Sequence, residues 1–259
     1  MPHLDLFLAS PWLVWVIIVM VVGGLAHGTM CFGFPLISTP MIALVTDIQT
    51  AVVVSLFPNL AVNIVSTLRG GRWRASLVRY WPVAVYVLIG TVAGTRVLLV
   101  ADPEPLKLLL ALMIVVYLQQ SRFAGIDWSW LSRHPRKSAA LFGSLAGLLS
   151  GAVNVAVPPL VIYFMALGLD ALAMTQILNL CFLVGRLAQA ATFGLSGHLG
   201  LSTFMATIPL TAVSLAALFV GMQLQRRIRA EVFRALLRKV LWVMAAVLAA
   251  QALGRISGL

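Results

Sequence analysis

Gly28-Thr29-Met30-Cys31-Phe32-Gly33-Phe34-Pro35 interrupts an apolar stretch that opens at Pro11 and resumes as far as Val45. A second interruption, Asn154 followed by Pro158-Pro159, divides another apolar stretch that runs from Ala139 to Leu167. A helix crossing a bilayer core needs about 20 apolar residues. The arms beside these breaks hold about 12 to 17 residues and reach only about 18 to 25 Å as helix. Each stretch is therefore read as two short arms meeting at a non-helical tip inside the membrane, a broken helix or re-entrant helical hairpin, with two ordinary spans joined by a tight loop as the alternative. Five unbroken stretches surround them: Asp47 to Leu68, Leu77 to Val100, Asp170 to Leu195, Leu201 to Gln225 and Val232 to Leu253. Pro105 to Leu118 is shorter.

Composition agrees. Of 259 residues, 61% are hydrophobic and 10% charged, where a soluble domain carries about a quarter charged. The net charge of +11 raises nucleic acid as a partner, but the cations sit in three short segments between apolar runs, the pattern of a polytopic membrane protein. Nucleic-acid binding is set aside. No G-x-x-x-x-G-K-[ST] loop is present, so neither ATP hydrolysis nor an ATPase subunit is implied. The two cysteines, Cys31 and Cys181, lie inside apolar segments; no disulfide, metal site or cofactor is expected. With no Lys or Arg among the first nine residues, the first apolar run lacks the basic lead of a cleaved signal.

The breaks belong to an internal repeat. A shift of 119 sets Gly24, Gly28 and Pro40 over Gly143, Gly147 and Pro159, and a shift of 127 sets Gly70, Pro82 and Gly94 over Gly197, Pro209 and Gly221. The chain is thus read as one all-α transmembrane domain, with repeat one over 11–120, a basic loop over 121–138 and repeat two over 139–254. Three clusters (Arg69, Arg72, Arg74, Arg79; Arg122, Arg133, Arg136, Lys137; Arg226, Arg227, Arg229, Arg234, Arg238, Lys239) hold 14 of the 18 cations and are assigned to the cytoplasm. The loops at Asp102 and Gly197 lack Lys and Arg and fall outside. Equivalent loops of the two repeats then have opposite sidedness, so the repeats are inverted and both termini lie outside; Arg255 runs against this. Inverted repeats with interrupted helices are a transporter architecture, with the substrate site where the interrupted elements meet.

Arg186 is the residue most out of place. It lies nine residues from the end of its span, about 14 Å deep, where insertion costs about 2.5 to 3.5 kcal/mol. No Asp or Glu lies well inside a span to neutralise it, which invites an anionic substrate. Gln176, Asn179 and Arg186 share one helix face, and Ser55, Asn59, Asn63 and Ser66 form a polar stripe in the first repeat, with Pro58 among them. Amide N–H groups bind oxyanions without adding a charge, although such residues also join membrane helices to one another. The tips add Ser38, Thr39 and Asn154. If short helices start just after them, with Pro40 or Pro159 in a first turn, their free N–H groups would favour an anion. Cys31 and His27 stand beside the first tip and read more simply as packed residues.

At these positions the chain resembles the sulfite exporter TauE/SafE family, over about residues 15 to 250. Gly24, Gly28, Gly33 and Pro40 fit the family's glycine-rich first motif, while Cys31, Phe34 and Pro35 stand where glycines are usual. Gly143, Gly147, Pro158-Pro159-Leu160, Asn179 to Arg186 and Gly197 are similar to its second half. The resemblance implies secondary transport of sulfite, sulfoacetate, sulfonates or related organic acids across the bacterial plasma membrane. The expected substrate shell is Arg186, Asn59, Asn63, Asn179, Asn154, Ser38 and Thr39, with export by alternating access. An anion channel in the same fold is the alternative. An intramembrane serine protease at Leu148-Leu149-Ser150-Gly151 is a poor third, because His198 sits in a loop.

Overall fold

The computed structural model describes residues 12–69, 73–225 and 230–257, so Gly70, Arg72, Arg226, Arg227 and Arg229 lie outside the described residues. Among the described residues there are eleven α-helices and no strand: α1 (Trp12–Met30), α2 (Phe34–Ala43), α3 (Ile48–Arg69), α4 (Trp73–Val100), α5 (Pro103–Leu118), α6 (Ser129–Arg133), α7 (Pro135–Val153), α8 (Val157–Ala166), α9 (Ala171–Leu195), α10 (Leu201–Leu224) and α11 (Ala230–Ile256). A 3-10 turn, Gln120–Gly125, and α6 occupy the basic loop. There Asp127 accepts from the Ser129 N–H at 2.8 Å and the Ser129 hydroxyl at 3.2 Å, bonds that hold its carboxyl below the ordinary range. Six helices, α1, α3, α4, α9, α10 and α11, are long and apolar enough to cross a membrane. This is a multi-pass membrane protein.

Both breaks exist, but the arms are unequal. α1 and α7 each have 19 residues, about 28 Å, whereas α2 and α8 each have 10, about 15 Å. The expectation of two short arms is corrected: the first arm is long enough to span, and only the second is short. The helix survives through Gly28-Thr29-Met30 because Cys31 N–H still donates to His27 O at 2.7 Å, and the Thr29 hydroxyl folds back onto the Leu25 and Ala26 carbonyls. At the other end, Pro135 takes the first helical position, where proline's missing donor costs nothing, and draws Arg136 and Lys137 into α7. The breaks themselves are Cys31-Phe32-Gly33 and Asn154-Val155-Ala156. Cys31 and Asn154 both have φ 65°, and Gly33 has φ 116°, the left-handed region that favours glycine. Each chain then turns back: Trp15 Nε1 donates to Met41 O at 2.9 Å across the first hairpin, and Phe142 stacks on Tyr163 at 5.4 Å across the second.

The prolines sit at different depths in the two short helices. Pro35 and Pro158 are the second residues of α2 and α8, Pro159 is the third of α8, and Pro40 lies inside α2. Pro35 and Pro158 thus hold the same helix position, whereas Pro40 and Pro159, which the shift of 119 sets together, do not.

The helices pair in an exchanged pattern. α7 packs most closely on α4, and α1 packs on α10; α4 and α10 each also line α9 and α3 respectively, and α5 meets α11. Glycines make these approaches possible. Gly24 and Gly28 abut Ser214, Leu218 and Gly221, while Gly143, Gly147 and Gly151 abut Val83, Val87, Gly90, Thr91 and Gly94. A Cβ on Gly24 would stand 2.6 Å from the Ser214 carbonyl oxygen. Small residues at i, i+4 let membrane helices approach backbone to backbone, and Gly24, Gly28, Gly94, Gly143, Gly147 and Gly221 all lie in these crossings.

Candidate functional site

The two tips are held by polar side chains from the middles of α3 and α9. Asn154 Nδ2 donates to Thr39 Oγ1 at 2.5 Å and to Ser55 Oγ at 3.2 Å, tying the second tip to α2 and α3. Asn179 Nδ2 donates to the Cys31 carbonyl at 2.8 Å and to Thr175 O at 3.0 Å, tying the first tip to α9. Cys31 and Asn154, the two non-glycine residues with positive φ among the described residues, are thus the two residues so held. A left-handed conformation costs about 1–2 kcal/mol for an L-residue; these bonds offset it.

Behind each tip sits a second bond. His27 Nε2 lies 3.0 Å from Ser66 Oγ, and His27 Nδ1 accepts from Phe34 N–H, the first amide of α2, at 3.4 Å. At the other tip, Arg186 is 2% exposed. Its Nη1 donates to Gln189 Oε1 at 2.5 Å, and its Nη2 donates to Ser150 O at 3.1 Å and to the Ser150 hydroxyl. Gln189 Nε2 donates to Gly151 O at 3.1 Å. The guanidinium therefore caps the last carbonyls of α7, where the helix dipole is negative and cations are favoured. Ser150 Oγ is Arg186's partner and bonds no histidine.

Asn59 and Asn63 are fully buried. Asn63 Nδ2 donates to Asn59 O at 2.9 Å and Asn59 Oδ1 at 2.8 Å, which leaves Asn59 Nδ2 and Asn63 Oδ1 without partners. An unpaired buried amide hydrogen costs about 1–3 kcal/mol and is a ready donor to an anion. Ser38 turns away: its hydroxyl donates to Phe34 O at 2.9 Å within α2. The expected residues thus fall into separate groups: Asn154 with Thr39, the Asn59–Asn63 pair, Asn179 on the first tip, and Arg186 about 10 Å further along α9 than Asn179.

A cavity of about 210 Å³ opens beside the first tip, lined by His27, Cys31, Ser66, Arg69, Gln176, Asn179 and Gln225 with Gly28, Leu172, Thr175 and Met222. Gln225 Nε2 donates to Cys31 Sγ at 3.6 Å, and Arg69 donates to Met222 Sδ at the rim. Of these residues, only Asn179 was expected in the substrate shell. Ser66 was visible as the end of a polar stripe and Gln176 as a neighbour of Asn179, but Arg69 read only as a loop cation and Gln225 carried no signal.

A family model described as sulfite exporter TauE/SafE matches residues 16–249. No curated protein and no solved structure matches the chain.

Proposed function

This chain belongs to the sulfite exporter TauE/SafE family, and on that premise we propose that it is a secondary transporter that exports a small sulfur-containing or organic anion, of the sulfite, sulfoacetate or sulfonate type, across a bacterial plasma membrane by alternating access. The observation that carries this reading is the cavity at the first tip: about 210 Å³, rimmed by Arg69 and floored by His27, Ser66 and Asn179. A cationic rim concentrates anions, and neutral donors beneath it hold them without trapping them.

In this reading 11–120 and 139–254 are inverted-topology repeats, both chain ends lie outside, and the Arg69 cavity faces the cytoplasm. The exchanged helix pairing supports the repeats, because swapping the halves maps α1–α10 onto α7–α4. Beyond the cavity, Asn59 Nδ2 offers an unused donor and Arg186 supplies the charge. The anion reaches the guanidinium by taking the place of Ser150: its oxygens accept the Nη2 hydrogens that Ser150 O and Oγ accept now. Loss of that cap frees the end of α7, which couples anion arrival to movement of the second tip. The residues assigned to the substrate are Arg186, Asn59, Asn63, Asn179, Asn154 and Thr39, which act in separate groups along its path rather than around one cavity, with Ser38 supporting α2.

Export is the direction the membrane potential drives, by about 2.3 kcal/mol per anionic charge per 100 mV. Flux of labelled sulfite or sulfoacetate from proteoliposomes tests the proposal: Arg186→Ala and Asn59→Ala should each lose at least tenfold. Normal transport by both would end the site assignment.

A further inference from the structure

At the opposite end of α3 from Arg69 lies a larger recess, about 610 Å³, between the turn after α2, the start of α5 and the last turns of α11. Its charged lining is Asp47, Lys107 and Arg255, with Glu104 one turn before Lys107. Lys107 is 2% exposed and, among the described residues, makes neither a hydrogen bond nor an ion pair. The two carboxylates near it are engaged elsewhere. Glu104 Oε1 accepts from Arg255 Nη1 at 2.9 Å. Asp47 caps α3, accepting from Thr50 N–H at 2.8 Å and the Thr50 hydroxyl at 2.7 Å. Gln251 Nε2 donates to Leu44 O at 3.2 Å, so the end of α2 has its own donor. What remains is the ammonium of Lys107, on a residue 2% exposed that lines the recess, and Glu104 Oε2, buried and without a donor.

We propose that this recess is a second anion site, in which Lys107 binds a small free oxyanion while a hydroxyl of that anion, or a bound water, donates to Glu104 Oε2. Burying a lysine side chain is unfavourable unless its charge is compensated; Glu104 and Asp47 act on Lys107 only through space, and an oxyanion contacts it directly. The recess is separated from the Arg69 cavity by the length of α3, 22 residues or about 33 Å, so the two sites are distinct. The inference goes beyond the transport reading and does not need it.

The test uses the full chain in neutral-lipid nanodiscs, with Cys31→Ser to remove the one partly exposed thiol and Thr46→Cys as a reporter in the recess. Millimolar sulfate should slow methanethiosulfonate labelling of the reporter at least fivefold, and chloride at equal ionic strength should not. Protection should vanish in Lys107→Met and in Lys107→Gln, and return in Lys107→Arg. It should persist in Arg69→Gln and in Arg186→Ala, even where flux is lost. No protection by sulfate, protection that survives both neutral variants, or protection lost in Arg69→Gln would overturn the site. So would protection produced by adding phosphatidylglycerol but not by sulfate, which would make the occupant a lipid phosphate.

Discussion

Arg186 shows how one side chain serves architecture and chemistry together. A guanidinium with its donors on Ser150 and Gln189 needs no carboxylate to be stable in the membrane, and the same donors are what an oxyanion would take. Hydrogen bonds to charged groups contribute about 1.5–3 kcal/mol, so Ser150→Ala should lower the thermal midpoint of the purified protein while leaving Arg186 one donor closer to free. Asn154 separates two costs. Asn154→Gly loses the bonds to Thr39 and Ser55 but tolerates φ 65°, whereas Asn154→Ala loses the bonds and adds left-handed strain. Thermal unfolding should rank wild type above Gly above Ala, with Ala lower than Gly by about 1 kcal/mol. Arg186 and the asparagines were legible in the sequence because hydrocarbon makes any polar residue conspicuous. Their partners were not, since Ser150 lies 36 residues from Arg186 and Cys31 lies 148 from Asn179, and only tertiary packing joins them.

At the scale of the element, most helix limits follow from the run of apolar residues. Asp47 to Leu68 became Ile48–Arg69, and Leu201 to Gln225 became Leu201–Leu224. The breaks were legible in place but not in extent. Glycine and threonine lower helix propensity, yet α1 continues through Gly28 and Thr29, because leaving backbone amides unpaired inside a membrane costs more than a propensity deficit. The helix stops at Met30, and Cys31 at φ 65° and Gly33 at φ 116° turn the chain into α2, whose second residue is Pro35. The glycines earlier in α1 and in α7 have another task. Valine at Gly28 or Gly147 would drive its Cβ into the backbone of α10 or α4, and should abolish the monodisperse peak on size exclusion. Gly194, with open space around it, should accept alanine with no loss of yield.

For the whole molecule, the arrangement of cations predicts sidedness. Cysteines introduced at Asp102 and Gly200 should react with an impermeant thiol reagent from outside intact cells, and one at Ser129 only after lysis. Reaction of all three from the same side would defeat the inverted-repeat reading. The shifts of 119 and 127 singled out Gly24, Gly28, Gly94, Gly143, Gly147 and Gly221, but what those glycines accomplish was not legible. Their spacing marks close approach without naming the neighbour, and the neighbour in each case comes from the other half of the chain.

That exchange has a consequence for how the protein must be made. Because α1 is seated on α10 and α7 on α4, neither half contains the surface its own leading helix needs. Severing the chain within the 121–138 connection should yield fragments that are each degraded when expressed singly but reassemble when produced together: an obligate complementation in which each half completes the other's fold.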